Sequence, residues 1–330
     1  MTVKRVGAKR KTRKRAGKPP PGGAGLSLPT KMSKANPDVR RYVTLLYGRA
    51  GVGKTTLAAS YPGAVFLPTE PGTKGLDTYE IPEDGTGIRN WDQVRAAVDV
   101  LEADGAKTFQ TVVIDTVDRA YEMAMAWTCE QLGIEHVSED ASGKRDRSGK
   151  GWTELKKEFT TQLYRLIEAG YGLVLTSHSK VASIESSTGL EYDVIQPSMS
   201  GQALGVIKSI TDCIFYAEFV KSAGDGRTKR ILVTEGDELI LAKARGPWPK
   251  FLPLPRDGGY ELIRDAFAGK DVGLDPGDII VSKQTDDPAA KSVALEKRKG
   301  EAKEEGRGTA SRKGAKRMSK KAVNTKKKER

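Results

Sequence analysis

The chain has 330 residues, and its 56 Lys and Arg against 43 Asp and Glu give a formal net charge of +13. Two cysteines, Cys129 and Cys213, and two histidines, His136 and His178, with no CxxC or HxxxH spacing, point away from a zinc site and from a disulfide framework. No apolar run approaches membrane-spanning length and the basic N-terminus lacks the apolar segment of a signal peptide, so a reducing, intracellular compartment is expected, with no membrane partner.

The charge is unevenly spread. Residues 1–34 hold eleven Lys or Arg and no acid, while residues 291–330 hold sixteen basic and five acidic residues. The body between them is therefore acidic, at about −9. Tails so poor in apolar side chains cannot offset the entropy of ordering and are read as disordered. Such arms attach electrostatically to nucleic acid, add solubility, or act as a nuclear targeting signal.

Between the tails, the first predicted element is the apolar strand "YVTLLY", followed by Gly48-Arg49-Ala50-Gly51-Val52-Gly53-Lys54-Thr55 and then Thr56. The pattern is G-x-x-x-x-G-K-[ST], in which glycines let successive N–H groups point at phosphate oxygens. Lys54 is placed to reach the β- and γ-phosphates of ATP and Thr55 to ligate Mg²⁺. The helix "KTTLAASY" follows and is stopped by Pro62-Gly63.

The next strand lies in "GAVFLPTEPG" and carries Glu70 at its end. "TFQTVVIDTVD" supplies another buried strand with Asp115 at its C-terminal end, where α/β ligands bind. Asp115 is the candidate second metal-holding residue, or else an N-cap for the helix "TVDRAYEMAMAWTCEQLG". Downstream, "EDASGKRDRSGKGW" gathers Lys144, Arg145, Arg147 and Lys150 in a polar segment ending at Trp152. Those cations can track phosphates; Trp152 either stacks a base or starts the helix "TELKKEFTTQLYRLIEAG" and packs in the core.

The strand "YGLVLTSH" ends at His178, and "IESSTGLEYDVI" reads as a hairpin. After the helix "LGVIKSI", the segments "TDCIFYAEFV", "RTKRILVTEG" and "DELILAKA" read as three further strands, and "DGGYELIRDAFAG" as a closing helix. Strands alternating with helices, then a run of strands, predict an α/β fold with a mainly parallel central sheet and an antiparallel extension.

Taken together, "GRAGVGKTT", "LPTEPGTKGLD", "VVIDTVD", "GLVLTSHSK" and "LILAKARGPWP" resemble the phage-encoded RecA-like nucleotide-binding proteins, a group that includes single-strand annealing ATPases. The resemblance covers roughly residues 40–255 and neither tail. It implies a RecA-like P-loop NTPase domain over 37–270, between disordered basic tails at 1–36 and 271–330. It also implies Glu70 as the general base that orients the attacking water, against the alternative of a solvated loop acid. His178 stands where RecA has a glutamine that senses the γ-phosphate, and the alternative is a structural histidine.

Lys243 and Arg245 resemble the basic pair that one subunit inserts into its neighbour's ATP site, or else lie on an ordinary exposed hairpin. The family's two DNA-facing loops fall on the Lys144–Lys150 segment and on the segment after His178, which holds a single Lys and several acids. Mg-ATP hydrolysis on single-stranded DNA is implied, by a homo-oligomeric ring or filament in phage recombination, annealing or replication, with replication or recombination proteins as partners and the host cytoplasm as location. A helicase loader or motor is the alternative enzyme, and a nucleic-acid scaffold with ATP as a structural ligand the alternative class.

Overall fold

A computed structural model describes residues 29–34, 36–185, 189 and 191–280. The chain divides into two units, residues 1–36 and 37–330; the described part of the first carries no helix or strand. Most of both basic tails lies outside the described residues.

The second unit is built on one sheet. Its strands are β1 (Val43–Gly48), β2 (Ala64–Pro68), β3 (Tyr79–Glu80), β4 (Thr111–Asp115), β5 (Gly172–Glu185), β6 (Glu191–Pro197), β7 (Cys213–Ser222), β8 (Thr228–Val233), β9 (Phe251–Pro253) and β10 (Ile279–Ile280). Across the sheet the order is β3-β2-β4-β5-β1-β7-β8-β9, parallel from β3 to β7 and antiparallel from β7 to β9. This is the expected parallel sheet with its antiparallel extension, a RecA-like α/β arrangement.

Strand β1 is buried over its whole length because both sheet faces are covered. Val43, Leu45 and Tyr47 join one core with Trp91, Tyr121 and Phe159, contributed by α2 (Trp91–Asp104), α3 (Val117–Leu132) and α4 (Lys150–Glu168). Leu46 faces the other core, with Leu57 from α1 (Lys54–Ala59) and Ile263 from α6 (Tyr260–Phe267). Between β6 and β7 lies α5 (Gly201–Ile210). Trp152 sits within the first turn of α4, partly buried against the first core, as its packing alternative required.

Three features depart from the sequence reading. Helix α2 is not among the expected elements; Asn90 caps it by accepting from Gln93 N at 3.0 Å, and Gly105 closes it in the left-handed region. The expected strand "DELILAKA" is not one: Ile240 bridges to Ile195 and Lys243 to Ile214, so the segment crosses between two strands and forms no ladder with either. The Tyr47 hydroxyl donates toward its Leu241 carbonyl at 2.8 Å and fixes that crossing. Third, residues 271–280, expected in the C-terminal tail, belong to the folded body, since β10 pairs with β7 at Lys221 and Ser222.

Candidate nucleotide site

The phosphate loop leaves β1 at Gly48 and enters α1 at Lys54. A side chain at Gly48 would put its Cβ 2.3 Å from the Ala217 carbonyl of β7, so the loop starts where two backbones nearly touch. Gly53 has φ +105°, and a Cβ there would meet the Arg230 guanidinium at 2.6 Å. Arg230 in turn donates to Val52 O at 3.3 Å and Pro255 O at 2.6 Å, tying the crown of the loop to the antiparallel strands.

Lys54 is buried, and its Nζ donates to the carbonyls of Gly48 and Arg49, each at 3.0 Å. Burial lowers its pKa, while the carboxylates of Asp115, Asp118 and Glu70 pull in the opposite direction. Three acids thus lie within electrostatic reach of one ammonium. Thr55 Oγ1 donates to Asp115 Oδ2 at 2.8 Å, and the other Asp115 oxygen accepts from Thr176.

Strand β5 lies between β1 and β4, which sets the loop and Asp115 one strand apart and lets a β5 side chain reach the acid. Asp115 is not the helix cap. Thr116 is, accepting from Arg119 N at 3.4 Å, so Asp115 keeps both oxygens turned into the site.

Glu70 lies just beyond β2, and its backbone N–H donates to Asp115 O at 3.2 Å. Its carboxylate takes the Thr116 hydroxyl on Oε1 at 2.8 Å and faces His178 Nε2 from Oε2 at 3.2 Å. The structure therefore joins Glu70, His178, Asp115, Thr55 and Lys54 in one site. Thr116, Thr176 and Gly72 are additions that the sequence reading lacks. Their signal was position: hydroxyls at the C-terminal ends of parallel strands, and a glycine in the loop after β2.

Nucleotide and Mg²⁺ fit this set. A Cβ on Gly72 would lie 3.3 Å from Asp115 Oδ2 and 3.7 Å from Thr55 Oγ1, so the glycine leaves room at the oxygen pair a divalent cation requires. Gly51 faces open space, and the oxygen donors are those Mg²⁺ prefers.

Other expected residues stand apart. Lys144, Arg145, Arg147 and Lys150 are exposed in a segment shaped by Asp140 and Asp146, which accept from Ser142 N and Ser148 N at 2.8 Å each. Lys243 and Arg245 lie toward the N-terminal end of β7, roughly 10 Å from the Ala217 level by strand rise. There Lys243 donates to Lys208 O at 2.8 Å and Arg245 pairs with Asp212 at 3.2 Å. Within one chain they do not join the site.

A phosphate loop and an aspartate-ended strand separated by one parallel strand, with the lysine, threonine and aspartate converging, define a P-loop NTPase of RecA-like fold. A family model described as an AAA domain matches residues 40–246, more than half of the chain, and the chain belongs to that family of ATPases. It is similar to the SPbeta prophage-derived uncharacterized protein YorG of Bacillus subtilis (strain 168), 24% identical over 178 residues. That match covers 53% of this chain and 50% of the relative, so the chain spans about half the relative's length. The crystal structure of the KaiC-like protein PH0186 from Pyrococcus horikoshii OT3 aligns over 74% of this chain and 90% of that one, at 15% identity and a TM-score of 0.34. Among the described residues no helix is long and apolar enough to cross a membrane, and no metal-binding cluster of His, Cys, Asp and Glu occurs.

Proposed function

We propose that the protein hydrolyses Mg-ATP with Glu70 as the water-orienting base, and that single-stranded DNA stimulates this hydrolysis in a phage recombination, annealing or replication setting. The observation that carries the enzymatic reading is the Glu70 carboxylate held between Thr116 and His178, beside the Thr55–Asp115 pair. Its two oxygens are thereby aimed by groups at the end of β4 and on β5, next to the pair that would hold the cation.

In this reading Lys54 exchanges its two carbonyl acceptors for phosphate oxygens, an easy exchange because its ammonium already lies at the loop. Thr55 and Asp115 hold the cation, which when bound supplies positive charge against that developing on the phosphate oxygens. Glu70 accepts a hydrogen bond from water and takes its proton, while Thr116 and His178 restrict where the carboxylate points. Lys243 and Arg245 complete a neighbouring subunit's site in a homo-oligomer, the Arg245 side chain being largely exposed at 71%.

The DNA reading draws on the basic tails and on exposed Lys144, Arg145, Arg147 and Lys150, since each cation that neutralises a phosphate releases a counterion. Hydrolysis by the full chain, with and without single-stranded DNA at low and moderate salt, tests it. Stimulation that weakens with salt, and weakens again when residues 1–34 and 291–330 are deleted, supports the reading. Hydrolysis indifferent to DNA at both salts would overturn it in favour of a helicase loader or another protein-triggered ATPase.

A further inference from the structure

Three consecutive residues of β5 meet three different carboxylates. Thr176 donates to Asp115, Ser177 Oγ shares its proton between Asp118 Oδ1 at 3.1 Å and His178 O at 3.0 Å, and His178 Nε2 faces Glu70 Oε2 at 3.2 Å. Asp118 stands in the first turn of α3, three residues after the metal-site aspartate. Its Oδ1 accepts a second hydrogen bond, from Ser198 Oγ at 2.7 Å, and Ser198 N donates to His178 O at 2.9 Å.

Ser177 lies on β5 two residues before the hairpin pairing starts and Ser198 one residue beyond the end of β6, so the two flank the open end of the β5–β6 hairpin. The pairing of β5 with β1 ends at His178 and its pairing with β4 at Leu175, whereas Ser179–Glu185 pair with Glu191–Pro197 of β6. The hairpin thus begins where the central sheet lets β5 go. One carboxylate oxygen thus holds the chain on both sides of the hairpin's open end, and His178, which follows Ser177 and accepts from Ser198 N, is the residue that faces Glu70.

Among the described residues Asp118 Oδ2 is buried with no hydrogen-bond partner, a costly arrangement for a residue that only pins two hydroxyls. Asp118 also belongs to the acid group acting on Lys54, so its charge is felt at the phosphate loop.

We infer that Asp118 is a positioning residue: it clamps Ser177 and Ser198 at the base of the β5–β6 hairpin so that His178 holds Glu70, and the hairpin's position is thereby coupled to the water-orienting carboxylate. This rests on the reading of Glu70 as that base. The clamp has a directional consequence, because whatever displaces the hairpin also displaces His178.

The test uses the full chain with Asp118→Ala, Ser198→Ala and Ser198→Thr, reading kcat and KM for Mg-ATP, the thermal midpoint, and hydrogen exchange across residues 179–197 with and without Mg-ATP. Asp118→Ala lowers kcat about ten-fold with KM within about two-fold, as expected when a base is misplaced and binding is not. Ser198→Ala moves kcat in the same direction, and Ser198→Thr, which restores a hydroxyl, recovers it. In the wild type Mg-ATP slows exchange in the hairpin, and Asp118→Ala removes that response. If Asp118→Ala does not fold, the Ser198 pair decides alone. Loss of turnover in Glu70→Gln with kcat and exchange response intact in Asp118→Ala and Ser198→Ala overturns the clamp only. A wild type without turnover, whose hairpin is still protected by Mg-ATP through Asp118, overturns the Glu70 reading and keeps the clamp. A wild-type hairpin indifferent to Mg-ATP overturns the coupling.

Discussion

Thr55 and Asp115, sixty positions apart in the chain, are joined by a hydrogen bond of 2.8 Å from Oγ1 to Oδ2. That bond connects the first turn of α1 to the end of β4 across the intervening β5, and it brings together the two oxygens that serve Mg²⁺ in this class of site.

Among the described residues the ammonium of Lys54 donates only to two main-chain carbonyls, those of Gly48 and Arg49. Lys54→Ala therefore removes a charge-assisted phosphate contact worth about 1.5–3 kcal/mol, or about ten- to a hundred-fold in nucleotide affinity. Because burial disfavours the charged form of Lys54, the folded state should not weaken in proportion. Titration with a fluorescent ATP analogue and a parallel melting curve check both halves.

Gly72 leaves space beside the Thr55–Asp115 pair that a methyl group would narrow to 3.3 Å from Asp115 Oδ2. Gly72→Ala is expected to raise the Mg²⁺ concentration needed for half-maximal activity while leaving metal-free nucleotide binding unchanged. A Mg²⁺ titration at saturating ATP shows it; an unchanged midpoint would remove Gly72 from the site.

Thr116 serves two partners at once, capping α3 through Arg119 N and donating to Glu70 Oε1 at 2.8 Å. Thr116→Val should cost about 1 kcal/mol of stability through the lost cap, read by urea unfolding. It should also lower kcat, whereas Thr116→Ser should preserve both.

On β7 the buried Glu218 has its pKa raised by burial to about 7, with Arg49 of the phosphate loop pulling the other way. Its ordinary value lies near 4.5, so between the two values the folded state binds the proton more strongly than the unfolded chain. Stability from this group is full below about 4.5 and is lost as pH rises through about 7. Glu218→Gln, which cannot ionise, should flatten that fall by up to about 3 kcal/mol at pH 8. Urea unfolding of both proteins at pH 5 and pH 8 tests the sign as well as the size.

How much of this was legible in the sequence depends on how local each feature is. The phosphate loop was, because its eight residues are contiguous and its glycines have a backbone reason. Asp115 was, because an acid ending an apolar run marks a strand end. The contact between Glu70 and His178 was not derivable from spacing: the residues are 108 positions apart, and their meeting depends on β2 and β5 lying on either side of β4. Asp118, Thr116, Thr176 and Ser177 were hidden for the same reason, since a hydroxyl's partner is set by register rather than by its neighbours. Helix α2 was readable in principle from Trp91, Val94, Val98 and Leu101, which repeat at helical spacing and are buried. The segment "DELILAKA" misled because its apolar run Leu239–Ala242 imitates a strand, while its backbone is divided between Ile195 and Ile214.

The most direct test is steady-state ATP hydrolysis by the full chain with Mg²⁺, wild type against Glu70→Gln, with nucleotide affinity measured on both. Turnover is expected in the wild type, with a fall of about a hundred-fold or more in Glu70→Gln and affinities within about two-fold of each other. Equal turnover in the two proteins would contradict that expectation, placing the water-orienting group elsewhere.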